Sequence, residues 1–379
     1  MEISPTHLQR LSQRIGREWA EVRDAEVEQF SQGQLARTYK QPPCGAAAAV
    51  MLDGGRAQTR AEDSGRGVHD AAWRETKVAC CLTLDTKAKA VDPHPEPPSK
   101  FLEPPEVARL AAEIKRRSGS ATGRSDTDRS TSKAAKRKKK RPRRRNRRNR
   151  PRTRIRTVVA TMENSETFGW QVAAEVHRRG LDQAKRKACV CDGQAYNWSI
   201  FAMHLLPLGF VPILDFVHLL AYLYDAAQAV HGSDAARGWK TYVKWLRLAW
   251  SGNVVALVAC LRAAAQALAT AASVSQERQA TVAETLTYVL NNRERMDYSE
   301  YRRLGLPISS APVESTIKQI NRRIKGSEKF WLEGGAETIL QLRAAQLSDD
   351  DRWTRNWSRP RKHRRAAGTG RLANSDQAL

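Results

Sequence analysis

Residues 187–198, KACVCDGQAYNW, read as a buried strand that closes on an acid, Asp192, and turns through a glycine toward a helix. Ala188–Cys191 is apolar and of strand length, and NWSIFAMHLL after it reads as a helix. Working outward, FGWQVAAEVHRRG upstream is a helix whose apolar face recurs by three and four, and Thr157–Met162 before it is a strand. Further upstream, Ala46–Leu52 (AAAAVML) runs into Asp53, and Lys77–Leu84 (KVACCLTL) is another run of strand length. Downstream, FVPILDFVH reads as a fifth strand. The order is β-β-β-α-β-α-β-α.

Three consecutive strands followed by strand–helix alternation is the order of an α/β, ribonuclease H-like core. Such a core is a mixed five-stranded sheet flanked by helices, with its first and fourth strands side by side. On that topology Asp53 and Asp192 meet at neighbouring strand ends, where open α/β sheets place their sites. A third acid, Glu314 in ISSAPVESTIKQINRRIKG, opens a helix whose next turns are basic. Two strand-end carboxylates and one helix carboxylate are an oxygen donor set suited to Mg²⁺ and to two-metal phosphodiester cleavage. Taken singly, each acid has a plainer reading, since Asp-Gly marks turns and a first-turn Glu complements the helix dipole. The shared position of the two aspartates lifts the triad above it.

The chain has 379 residues, 41% of them hydrophobic, and a formal net charge of +25 at pH 7. That is enough apolar material for a buried core, and the charge points to nucleic acid as the polyanionic partner. No stretch approaches the roughly 18 consecutive apolar residues of a membrane span, and Met1 is followed by no signal-peptide pattern. A soluble, intracellular protein without a membrane partner is expected. The six cysteines are too few and too scattered for a disulfide framework and lack zinc-finger spacing, so Cys189 and Cys191 read as buried strand residues.

Charge peaks in Lys133–Arg156, KAAKRKKKRPRRRNRRNRPRTRIR, a tract without an acid. With the Pro-, Ser- and Gly-rich Val91–Thr131 before it, this reads as a disordered insertion, either a phosphate-binding surface or a solvated linker. The expected organisation is a helical segment at 1–45, core at 46–91, the basic insertion at 92–153 and core again at 154–219. An all-α insertion then fills 220–305, the Glu314 helix and remaining core 306–348, and a mostly disordered basic tail 349–379. The tail offers two tryptophans, in DRWTRNWSRPRKHRR, for stacking. Trp239, Trp245 and Trp250 in the insertion recur at helical spacing with Val, Leu and Tyr and read as core.

The motifs LDGGRAQTR, GRGVHDAAWRETKVAC, CDGQAYNW, ILDFVH, AETLTYV and the long LPISSAPVESTIKQINRRIKGSEKFWLEGGAETILQLRAAQLSDD together resemble the ISKra-type insertion-sequence transposases of bacteria, within the Mutator-like group of DDE enzymes. The likeness runs from Ala46 to Asp350, interrupted by the low-complexity insertion. It implies a ribonuclease H-like fold with a helical insertion, two divalent ions (Mg²⁺ or Mn²⁺), and metal-dependent DNA cleavage and strand transfer at insertion-sequence ends. It assigns Asp53, Asp192 and Glu314 as the catalytic metal ligands, with Asp53 bridging the ions. Terminal repeats and target DNA as partners, a homodimer or higher oligomer on DNA, and a cytoplasmic, nucleoid-associated location are also implied.

That group is similar in having a Cys or Asp, two residues and then His between its second Asp and its Glu, and Asp215 with His218 fits this element. Both are expected to support the site rather than hold metal, although Asp215, ending ILD, is the rival of Asp192 for the second position. His69 in GRGVHDAAW stands as a candidate substrate-loop residue. Lys318, Arg322 and Lys325 recur along the helix after Glu314, flanked by Asn321 and Arg323. With Arg56, Lys329 and Trp331 they are expected to grip DNA, against the plainer reading of a solvated helix face. Ser309 and Ser310 read as helix caps.

Family members carry a longer region before the first Asp, whereas here a helix over Leu8–Phe30 precedes Asp53. Two readings stand. One is an active DDE transposase; the other is a truncated, catalytically inactive DNA-binding relic or transposition inhibitor.

Overall fold

The apolar run before Asp53 becomes strand β1 (Ala47–Thr59), whose successive side chains enter two different cores. Ala47, Ala49 and Met51 face one, while Ala48, Val50 and Leu52 face the other. The same alternation orders β2 (Ala72–Asp85), β3 (Arg152–Thr161) and β4 (Arg186–Cys191), and β5 (Val211–Leu214) completes the sheet. A sheet buried on both faces needs helices on both. The structure, a computed structural model, describes residues 3–37, 47–61, 72–119, 150–271, 274–326 and 329–358.

The strand order is β3-β2-β1-β4-β5. β2 runs antiparallel to both β1 and β3, whereas β4 is parallel to β1 and to β5. The expected neighbourhood of first and fourth strands is therefore present, in a mixed five-stranded open sheet. The helices are α1 (Pro5–Ser31), α2 (Pro104–Gly119), α3 (Ser165–Arg178), α4 (Ala195–Ile200), α5 (Phe216–His231) and α6 (Ala235–Trp250). They continue with α7 (Val254–Thr270), α8 (Gln276–Asn292), α9 (Tyr298–Arg303), α10 (Ala311–Ile324), α11 (Glu333–Leu347) and α12 (Arg352–Ser358). Phe168, Val172 and Val176 of α3 and Ile200 of α4 cover one sheet face. Leu219 and Leu223 of α5, Ile317 and Ile320 of α10, and Leu340 of α11 cover the other. The second core continues into α6–α9, where Trp245 and Trp250 are buried and Trp239 packs at its margin. No helix among the described residues is long and apolar enough to cross a membrane.

Three expectations need correction. β1 does not end at Asp53 but continues to Thr59, because β2 supplies an antiparallel partner along the whole length, from Ala47↔Leu84 to Thr59↔Ala72. Gly54 and Gly55 are thus strand residues, not a turn. FVPILDFVH is not one strand: pairing stops at Leu214, and Asp215 caps α5, which begins at Phe216. The stretch from Val91 is not disordered up to Gly119, since Phe101 inserts against Phe216 and Trp250, and Val107, Ala111 and Ile114 are buried at helical spacing on α2. Within the tail, Arg352–Ser358 is helical, anchored by Arg352 on Asp350 and Glu175, and Trp353 packs against Trp357 with ring centroids 5.3 Å apart. Residues 133–149 of the basic tract and the tail beyond Ser358 lie outside the described residues.

Gly55 has a packing reason to lack a side chain. A Cβ there would come within 2.7 Å of Thr76 Oγ1 and 3.4 Å of Ile317 on α10. Gly55→Val is expected to cost roughly 1–3 kcal/mol in urea unfolding. Gly334→Ala, with nothing within 4 Å of its Cβ, should be neutral or stabilising. Equal stabilities of the two variants would show that α10 does not bear on β1 in this way.

Candidate active site

Parallel pairing sets three aspartates in one row. Met51 pairs with Val190 and Cys191 with Leu214. Carried forward, that register aligns Asp53 with Asp192 and Asp192 with Asp215, just past the last parallel pairs. Asp53 shares its face with Met51, Asp192 with Val190 and Asp215 with Ile213, so all three lie on the side covered by α5 and α10. α10 crosses that side with Ile317 and Asn321 against Gly55, and Glu314 stands one turn earlier, in the helix's first turn.

Each acid has a distinct setting. Asp53 is 8% exposed, and its Oδ1 accepts the Gly54 N–H at 2.7 Å. Asp192 is half-buried, with Oδ1 accepting from Asn197 Nδ2 at 3.1 Å and the Gln194 N–H at 3.2 Å. Asp215 is fully buried: Oδ1 accepts the Val217 and His218 N–H groups that open α5, and Oδ2 accepts the Ser310 N–H at 2.6 Å and the Ser310 hydroxyl. His218 Nδ1 lies 3.7 Å from Asp215 Oδ1.

Charge follows from this geometry. Burial alone would lower the His218 pKa, but Asp215, reinforced by Asp192 and Asp53, raises it to about 9. Burial alone would raise the Asp215 pKa, yet His218 and the Ser310 donors lower it to about 2. The pair is therefore ionised at neutral pH. Ser310 occupies the N-cap position of α10, but its hydroxyl serves Asp215 and reaches Glu314 Oε1 at 3.4 Å, so helix capping does not explain it.

Among the described residues, Asp215, His218 and Glu314 form the cluster whose potential ligand atoms all lie within 4.8 Å of one another. Glu314 is drawn toward Asp215 and His218, and the tight three-residue grouping does not include Asp53 or Asp192. Carboxylate oxygens such as those of Asp53, Asp192 and Glu314 are the donor type a hard divalent cation takes.

The basic residues divide. Arg322, Arg323, Lys325 and Lys329 are exposed at the end of α10 and just beyond it, with Lys325 Nζ 5.5 Å from the ring centroid of half-exposed Trp73. Lys318 is exposed but ion-paired to Glu113 of α2 at 2.7 Å. Asn321 is half-buried beside Gly55, and Arg56 is half-buried across from Glu75 in the β1–β2 register. Trp331 is turned inward: its indole N–H donates to the Ile324 carbonyl at 2.8 Å, and its backbone bridges to Thr59. Its evident role is to staple the end of β1 to the segment after α10. His69 lies outside the described residues.

Two residues near the acids escaped the sequence reading. Asn197 falls five positions after Asp192, a spacing that α4 makes a contact, and Tyr288 reaches Asp192 from α8. Comparison with protein-family models, curated proteins and solved structures found no match to the chain.

Proposed function

We propose that the chain is a DDE-type DNA transposase with a ribonuclease H-like core, cutting and joining DNA phosphodiesters at the ends of an insertion sequence. What carries the reading is the alignment of Asp53 and Asp192 just past the last parallel pair of β1 and β4, with Glu314 on the helix packed over β1. Asp53, Asp192 and Glu314 would hold two Mg²⁺ or Mn²⁺ ions. Such ions, when bound, supply activation of water or a DNA 3′-hydroxyl and stabilisation of the leaving oxygen.

The protein's own groups then have separable tasks. Asp53, fixed in the strand by Gly54, and Asp192, fixed by Asn197, hold their carboxylates where the sheet opens. The Asp215–Ser310 bonds set the start of α10 and with it the position of Glu314. The positive charge of His218 offsets part of the negative charge of Asp215, Asp192 and Asp53. Arg322, Arg323, Lys325 and Lys329 offer cations to the DNA backbone, a sequence-independent contribution that weakens as salt rises.

The test is cleavage and strand transfer on labelled duplexes carrying the sequence that flanks this gene, with Mg²⁺ or Mn²⁺. Metal-dependent nicking at the element boundary, lost in Asp192→Asn, is the expected result. Salt-sensitive binding with no cleavage under any metal would overturn the catalytic reading in favour of a DNA-binding relic.

A further inference from the structure

Helix α8 reaches the acidic site through Tyr288, which donates its hydroxyl to the Asp192 backbone carbonyl at 2.7 Å. Its ring lies against the next residue, Gly193, whose φ is +98° and whose Cβ, if present, would sit 2.8 Å from Tyr288 Cε2. Gly193 is thus required twice, for its backbone conformation and for room. On its other side Tyr288 stacks on Tyr222 of α5, with centroids 4.1 Å apart and planes at 13°. Just after α8, the Arg295 guanidinium lies 4.3 Å from the ring centroid of Trp198 on α4, the helix that follows Asp192. The turn from Asp192 to Trp198 is therefore gripped from outside at both ends.

We propose that Tyr288 is a positioning residue for Asp192: the helical segment acts as a clamp that holds the second carboxylate where a divalent cation is bound. This rests on the reading of Asp192 as a metal ligand. Asn197 and the Gln194 N–H orient the carboxylate from within the turn, but both belong to the segment they orient. Tyr288 ties that segment to another part of the fold. The stack on Tyr222 limits the ring's motion, so the hydroxyl is presented at a set distance. Groups that orient a ligand without touching the metal typically change metal affinity by 10–100-fold when removed.

The experiment is a Mn²⁺ titration of the full chain, followed by electron paramagnetic resonance, on wild type, Tyr288→Phe and Asp192→Asn, with thermal unfolding and DNA cleavage measured alongside. Phe keeps the ring and removes only the hydroxyl. Mn²⁺ affinity is expected to fall about tenfold in Tyr288→Phe with unfolding little changed, and cleavage to recover at high Mn²⁺. A Tyr288→Phe protein that binds Mn²⁺ like wild type, while Asp192→Asn does not, overturns the positioning role. If Asp192→Asn also binds like wild type, the assignment of Asp192 falls and the inference falls with it. A wild type that binds Mn²⁺ yet never cuts DNA would defeat the transposase reading alone, because the binding titration still decides the role of Tyr288.

Discussion

Asp53→Asn should abolish metal-dependent cleavage, by at least about 10³-fold or roughly 4 kcal/mol of barrier, while leaving the fold and DNA affinity close to wild type. The substitution is close to isosteric, and an amide oxygen still accepts the Gly54 N–H that Asp53 Oδ1 accepts now at 2.7 Å. What is lost is the charge. Asp53 is on the central strand of the sheet, 8% exposed, and its carboxylate would hold metal in the proposed site. Asp192→Asn and Glu314→Gln should share the phenotype. Initial cleavage rates across a metal titration, with duplex binding measured separately, give the comparison; equal and mild losses from all three variants would sink the assignment.

The second large effect is on stability and its pH dependence. Asp215→Asn should destabilise the metal-free protein by about 3–5 kcal/mol, because it leaves the buried His218 charge without its partner and sets an amide against the Ser310 donors. The sequence alone suggested a supporting role for Asp215; full burial adds a structural one. The two charges also make opposite pH signatures. His218 is raised from 6.5 to about 9, so its contribution is complete below pH 6.5 and is lost as pH climbs through 9. Asp215 is lowered from 3.8 to about 2, so its contribution is complete above pH 3.8 and is lost as pH falls through 2. Urea unfolding with chelator should show wild type losing about 2–3 kcal/mol between pH 6.5 and 9.5 relative to His218→Gln. Parallel profiles for the two proteins would remove the ion pair from consideration.

Much of the sheet was legible because a short apolar run is a local signal. Val50, Met51 and Leu52, like Cys189, Val190 and Cys191, are apolar in succession because both faces of those central strands are covered. The missed helix α2 was legible in principle: Val107, Ala111 and Ile114 are spaced as one face after the Pro104–Pro105 start, and a proline-rich flank drew attention from them. By contrast, nothing near Lys318 announces that Glu113 neutralises it, and nothing near Trp331 announces that β1 ends against it. Those partners are distant in the chain.

The amino-acid sequence by itself determined most of the strands and helices, their order, and which acids close apolar runs, since these depend on short apolar runs and on a helical period of 3.6 residues. Tertiary structure decided the roles of the acids. Asp53 lies mid-strand because β2 extends its pairing; Asp215 is a buried cap because Ser310, 95 residues on, returns to it; and Asp192 is held by Tyr288, 96 residues away. Such contacts pair groups across elements, and side chains that meet only after the sheet and helices have packed leave no period in the chain.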